Sequence, residues 1–375
     1  MTRPTASATL YARPTAFVDA PFGGDGQCER LAGGLQFFSA WEIIAKEAGK
    51  RTGQWLIPVA AFNNWCAALP QEQSRRIEAM RKAATQPRAP LKLAQHALPL
   101  DTPQIMGILN LTPDSFSGGN ADLGDAESCA AQARSLAAQG AAIIDLGGES
   151  TRPGAKILWE GDELQRVLPV VHALRESGLV LSLDTRKAAV MAQGLAAGAH
   201  IINDVSALLY DDRALDVVRA KTCPIVLMHF PGTPQDPHSN DVYGDALTDV
   251  YDWLESRIAA VVAAGIDRQR IIADPGIGFG KRQVAHNLQI LNGLSLFHTL
   301  GVPILFGASR KRLIGALSNE AAADQRLGGS LALALKAAEQ GAQIIRVHDV
   351  FETAQALRVW RGLRDTALVP SATLA

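Results

Sequence analysis

The sequence predicts an α/β protein, a (βα)8 TIM barrel with an N-terminal, partly helical extension. Three observations point there. From about residue 104, short apolar runs recur at 104–111 (QIMGILNL), 142–147 (AIIDLG), 179–185 (LVLSLDT), 200–205 (HIINDV), 224–229 (PIVLMH), 270–275 (RIIADP), 303–308 (PILFGA) and 343–349 (QIIRVHD). Runs of this length and composition suit strands buried on both faces. Between them lie Ala/Leu-rich stretches of helical periodicity, such as 125–140 and 246–265. Gly140, Gly198, Gly265 and Gly341 stand just past such stretches, where a helix C-cap takes a left-handed residue. Eight strand–helix units in about 260 residues is the arithmetic of a closed barrel. The rival, an open doubly wound sheet, lacks its GxGxxG turn here.

Residues 1–100 do not follow this rhythm, so the chain divides into an extension of unknown role (1–100) and a barrel domain (101–375). The extension holds Trp41, Trp55 and Trp65, three of the six tryptophans. Amphipathic helices are expected near 39–49 and 71–84, and PRAPLKL at 87–93 reads as a linker. Its 12 basic residues against 7 acidic ones are too few to imply nucleic-acid binding. The extension is expected to pack on the barrel, with partner docking as the alternative.

The whole chain has 375 residues, 47% hydrophobic and 19% charged, with a formal net charge of −1. That balance suits a globular protein and gives no electrostatic case for nucleic acid or an anionic membrane. No apolar run approaches the ~20 residues that span a bilayer. Cys28, Cys66, Cys129 and Cys223 form no CxxC pair, which argues against a disulfide framework or structural zinc. A cytoplasmic location is expected.

A barrel of this type builds its active site at the C-terminal ends of the strands. Those ends carry Asn110, Asp145, Asp184, Asn203, Met228, His229, Asp274, Ser309-Arg310-Lys311, Arg346 and His348. Unpaired buried charge is costly, so polar groups at nearly every strand end indicate a site. Asp184, Asp274 and Asn203 suit a flat heterocycle that offers N–H donors beside acceptors. Lys311 suits a ring carbonyl. Arg346 suits a ring face or a phosphate, and His348, two residues on, shares its face. Asp145 and Glu149 are as readily explained by salt bridges within the barrel, and His229 by a place in the core. GIGFGKR at 276–282 superficially resembles a P-loop but has the wrong spacing; its glycines are expected to let backbone approach a ligand. No HExxH or Cys/His cluster supports tightly held zinc, whereas Mg²⁺ held through Asn110 and substrate phosphates is compatible.

At this point the motifs are recognisable. MGILNLTPDSFSGG (106–119), IIDLGGESTRPGA (143–155), LSLDTRK (181–187), AHIINDVSAL (199–208), VLMHFPGTP (226–234), DPGIGFGK (274–281), GASRKRLIG (307–315) and IIRVHDV (344–350) resemble the dihydropteroate synthases, in family order. The resemblance implies condensation of 6-hydroxymethyl-7,8-dihydropterin diphosphate with p-aminobenzoate, assisted by Mg²⁺, in a sulfonamide-sensitive family; a homodimer is expected. It further implies that Asp184, Asn203, Asp274 and Lys311 hold the pterin, with Met228 and Phe279 lining its pocket and Arg346 on the ring. Asn110, Arg346, His348 and the metal would hold diphosphate, with Asn110 as metal ligand. Phe116, Thr151, Arg152, Pro153 and Ser309 would lie near the aminobenzoate under two mobile loops, 111–120 and 150–155. By the same resemblance, Asn110, Asp184, Lys311, Arg346 and His348 form the catalytic set. Gly118 departs from a family-typical Asp, MHFPG (228–232) from MHMQG, and Ile277 from a common aromatic. Two other readings remain: a degenerate paralogue acting as a binding subunit, and a folate-dependent methyltransferase on the same barrel. The latter needs no diphosphate site, so Arg346 with His348 argues against it.

Overall fold

A computed structural model describes residues 3–21, 24–93, 96–112, 126–151, 154–233, 236, 238 and 242–368. Phe116, Gly118, Arg152 and Pro153 therefore lie outside the described residues.

The predicted strands are present: β7 (Gln104–Asn110), β8 (Ile143–Gly147), β9 (Leu181–Asp184), β10 (Ile201–Asp204), β11 (Ile225–Met228), β12 (Ile271–Asp274), β13 (Leu305–Phe306) and β14 (Ile344–Val347). They form one parallel sheet in the order β12-β11-β10-β9-β8-β7-β14-β13, and a parallel bridge between Ala273 and Ile304 closes it. Around it run α3 (Ala126–Gln139), α4 (Glu160–Leu174), α5 (Ala188–Ala197), α6 (Ala214–Arg219), α7 (Ala246–Ala263), α8 (Val284–Asn292), α9 (Arg312–Leu317), α10 (Leu327–Glu339) and α11 (Val350–Ala367). The four cap glycines all have positive φ, from +85° at Gly341 to +124° at Gly198. No described helix is long and apolar enough to cross a membrane.

The extension begins with β1 (Thr9–Val18), β2 (Glu29–Arg30), β3 (Phe37–Glu47) and β4 (Lys50–Pro58), followed by α1 (Phe62–Ala67) and α2 (Gln71–Thr85). The helix expected at 71–84 is α2. The helix expected at 39–49 is instead strand β3, and the reason is its place at the centre of the sheet. β1 pairs along one side of it and β4 along the other. Trp41, Ile43, Ile44 and Ala45 are then all buried, although they fall on both faces of the strand. Tertiary packing overrides the helix-like spacing of 41, 44 and 45.

The extension packs on the barrel. Its Tyr11, Trp41 and Phe62 share one apolar core with Tyr251 and Phe297. Along α7, Arg51 pairs with Asp245 at 2.9 Å and Lys46 with Asp249 and Asp252 at 2.6 and 2.8 Å. Arg76 pairs with Glu255 at 3.2 Å, and the Tyr11 hydroxyl donates to Asp252 at 2.8 Å. A cavity of about 920 Å³ lies at this seam, lined in part by Arg76, Arg88, Arg268 and Gly301, far from the strand C-termini.

The expected linker at 87–93 is partly structured. Leu91–Leu93 (β5) and His96–Leu98 (β6) form a hairpin. Leu91, Leu93, Leu98 and Leu100 pack with Met106, Ile143, Ile201, Val226, Ile272, Leu305 and Ile344. These residues lie in the N-terminal halves of seven barrel strands, so the hairpin is the barrel's floor.

Candidate active site

The strand C-termini build one mouth. Asp145 is its hub: it is fully buried, and Oδ2 accepts from Arg346 Nε at 2.6 Å and from Asn203 Nδ2 at 3.0 Å. Arg346 Nη2 also donates to Asp184 Oδ2 at 2.8 Å. One guanidinium thus ties β14 to β8 and β9. Burial pushes the Asp184 carboxyl up to about 7 against the pull of Arg346.

Asn110 ends β7 and pairs with Gly147, which pairs with Asp184. A Cβ at Gly147 would come within 3.6 Å of Asn110 Oδ1 and 3.8 Å of Asp184 Oδ2. The amide oxygen and the carboxylate therefore flank one spot.

On the opposite wall Met228 pairs with Asp274. Asp274 Oδ1 accepts the Gly276 N–H at 2.7 Å, and burial raises its pKa against the pull of Lys311. Lys311 Nζ donates to the Ile277 carbonyl and sits 4.6 Å from the Phe279 ring centroid. Burial lowers the Lys311 pKa to about 8, with Asp274 opposing. Beside it, the Ser309 hydroxyl lies 3.0 Å from His348 Nδ1 and accepts the His348 N–H at 3.2 Å.

The basic run 310–312 splits. Lys311 enters the site; Arg310, at φ +58°, turns away and its Nε donates to Asp349 at 3.0 Å. Two of the glycines of 276–282 serve protein contacts. A Cβ at Gly276 (φ +67°) would come within 2.1 Å of the His229 carbonyl oxygen, and one at Gly278 within 3.0 Å of Lys311 Cδ.

Glu149 and His229 are structural, as the simpler reading had it. Glu149 bonds Arg186 at 3.1 Å and Lys187 at 2.9 Å, and accepts the Leu158 N–H at 2.9 Å. His229 is buried, with its ring edge-on to Trp253.

Three supporting residues were missed by reading strand ends alone. Lys281 Nζ donates to the Gly276 and Phe279 carbonyls at 2.7 and 3.0 Å, bracing the loop after β12. Asp204 accepts from Ser206 N and Leu208 N at 2.7 and 2.8 Å and holds Ala207 and Leu208 at positive φ. His238, in the loop after β11, reaches Thr151 and stacks on Phe279. Lys281 closes DPGIGFGK and Asp204 lies within AHIINDVSAL, so both were legible as part of those motifs; His238 had no such signal.

With this geometry in view, the comparisons with known proteins agree on one class. A family described as pterin binding enzyme matches residues 106–348. Dihydropteroate synthase of Neisseria meningitidis serogroup B is 46% identical over 269 residues, covering 70% of this chain and 94% of that one. The Escherichia coli K12 enzyme of the same name is 45% identical over 266 residues, covering 70% and 92%. A structure of Xanthomonas albilineans dihydropteroate synthase with 4-aminobenzoic acid superposes with a TM-score of 0.70 at 45% identity, covering 76% of this chain and all of that one. The Burkholderia cenocepacia enzyme complexed with 7,8-dihydropteroate gives 0.68 at 40% identity, covering 75% and 98%. So little of these relatives lies outside the match that an extension of 100 residues has no counterpart of its size in them.

Proposed function

The chain belongs to the dihydropteroate synthase family of pterin-binding enzymes, and from that premise we propose how its residues divide the work. The reaction joins 6-hydroxymethyl-7,8-dihydropterin diphosphate to p-aminobenzoate, giving 7,8-dihydropteroate and diphosphate in folate biosynthesis. The C–O bond between the pterin's exocyclic carbon and diphosphate breaks, and diphosphate leaves with the electron pair. The aniline nitrogen bonds to that carbon and loses a proton to solvent. No strong base is needed, because the electron-rich dihydropterin stabilises the developing cation. The protein must hold the ring, stabilise the leaving charge and exclude water.

In our assignment Asp184, Asn203 and Asp274 take the pterin's N–H groups and ring nitrogens, and Lys311 its carbonyl. Met228 and Phe279 line the ring pocket. Arg346 lies on the ring and, with His348 and Asn110, faces the diphosphate. Thr151 and Ser309, with Phe116, Arg152 and Pro153, belong to the aminobenzoate side. The observation that carries the assignment is the charged chord Asp145–Arg346–Asp184, set beside Asn203 at the strand ends.

Among the described residues, no group of three or more His, Cys, Asp or Glu is placed to hold a metal. The Asn110 amide oxygen at the mouth fits Mg²⁺, which takes few protein ligands and fills its shell with phosphate oxygens and water. When bound there it would neutralise charge on the departing diphosphate. We further propose a cytoplasmic homodimer with a barrel domain of 101–375, in which the end of the 1–100 extension supplies the barrel's floor and the part ahead of residue 86 is accessory. Exposed Phe351 (53%), Val359 (61%) and Leu363 (70%) on α11 support docking of a second copy.

Calorimetry with the pterin diphosphate tests the clamp. Asn203→Ala should weaken binding at least ~10-fold, since a buried partner is lost. Unchanged affinity would remove Asn203 from the assignment.

A further inference from the structure

We propose that His238 is a positioning residue for the condensation: it holds the loop carrying Thr151 against the loop carrying Phe279, and so sets the spacing between the aminobenzoate and pterin sides of the pocket. The proposal rests on the assignments above.

The ring makes three contacts. Nδ1 accepts the Gly280 N–H at 3.2 Å, Nε2 lies 3.2 Å from the Thr151 carbonyl oxygen, and the face stacks on Phe279 with centroids 4.9 Å apart at 14°. A nitrogen that accepts an N–H carries no proton, so the ring hydrogen is on Nε2 and is donated to Thr151. Only a neutral imidazole in that tautomer satisfies both partners. Burial holds the His238 pKa below its ordinary value, in the same sense.

The topology explains why such a strut is needed. Thr151 follows β8 and Gly280 follows β12, and β9, β10 and β11 stand between those strands. Among the described residues, no backbone ladder joins the two loops. Phe279, which His238 stacks on, also carries Lys311 Nζ over its ring at 4.6 Å. His238 thereby links the Thr151 backbone to the wall that positions a pterin-binding cation.

Glutamine can replace both hydrogen bonds, since its amide oxygen accepts and its N–H donates; alanine can replace neither. The test is steady-state kinetics on the full chain, varying each substrate, for wild type, His238→Gln and His238→Ala, with thermal melts alongside. His238→Ala should raise KM for p-aminobenzoate about 10-fold, while KM for the pterin diphosphate, whose clamp lies on the strand ends, changes less than about 3-fold. His238→Gln should return KM for p-aminobenzoate to within about 3-fold of wild type. Should His238→Ala not fold, His238→Leu, which fills the space without either hydrogen bond, takes its place. An unchanged KM in the apolar variant, or equal impairment of the glutamine variant, overturns the proposal. A wild-type chain that forms no dihydropteroate would instead overturn the functional reading beneath it.

Discussion

Arg346 Nη2 on β14 donates to Asp184 Oδ2 on β9 at 2.8 Å, across the two intervening strands β7 and β8. The same guanidinium holds Asp145 on β8. Two carboxylates that would repel one another at the mouth are thus compensated by a single cation, and Asn203 completes the group through Asp145. A flat ligand entering this mouth meets acceptors, an amide and a cation already fixed in place, which is how a rigid barrel turns strand ends into a binding surface.

Asp184→Asn and Lys311→Ala should each lower kcat/KM for the pterin diphosphate at least ~100-fold, because a charge-assisted contact to a buried group is worth about 1.5–3 kcal/mol or more. Steady-state assays on both variants, with circular dichroism to confirm folding, check this. Near wild-type rates in both would remove the clamp.

The pH dependence follows from the same two groups. Asp184 must be ionised to accept N–H donors, and burial places its pKa at about 7. Lys311 must be protonated to meet a carbonyl, and burial places its pKa at about 8. Activity is then lost as pH falls through the first value and as it rises through the second. The free-enzyme profile of kcat/KM should be a bell with its maximum between the two. A flat profile across that range would show that neither ionisation governs binding.

The extension and the floor should behave differently on truncation. A chain starting at Gln86 keeps the hairpin of β5 and β6 and every strand-end residue, so it should retain synthase activity. It should melt at a lower temperature and be less soluble, since Tyr251 and Phe297 lose their cover. A chain starting at Asp101 also loses Leu91, Leu93, Leu98 and Leu100 from the floor, each worth about 1.5–3 kcal/mol of burial, and should not hold the barrel. Thermal melts and activity of the two chains decide the matter; an inactive but folded Gln86 chain would give the extension a part in the site.

The barrel was legible because its strands are buried on both faces and its helices end on glycine, signals that a single sequence displays directly. The polar strand ends were legible for the same reason, standing out against apolar runs. β3 was not, because Trp41, Ile44 and Ala45 mimic a helical stripe until two neighbouring strands bury both faces. The floor hairpin was hidden in a proline-containing stretch that reads as a linker. The acidic residues Asp249, Asp252 and Glu255 of α7 and its N-cap Asp245 gave no sign of their role, because their basic partners on β3, β4 and α2 lie about 200 residues away in the chain. His238 lies in a loop, where periodicity carries no information about what a side chain reaches.

The measurement that bears most directly on the central claim is diphosphate release by the full chain, followed together with the pterin product, with both substrates and Mg²⁺ present. Release should depend on p-aminobenzoate, be matched mole for mole by 7,8-dihydropteroate, and be suppressed by a sulfonamide that competes with p-aminobenzoate. A folded chain that binds the pterin diphosphate yet forms no dihydropteroate would contradict that claim.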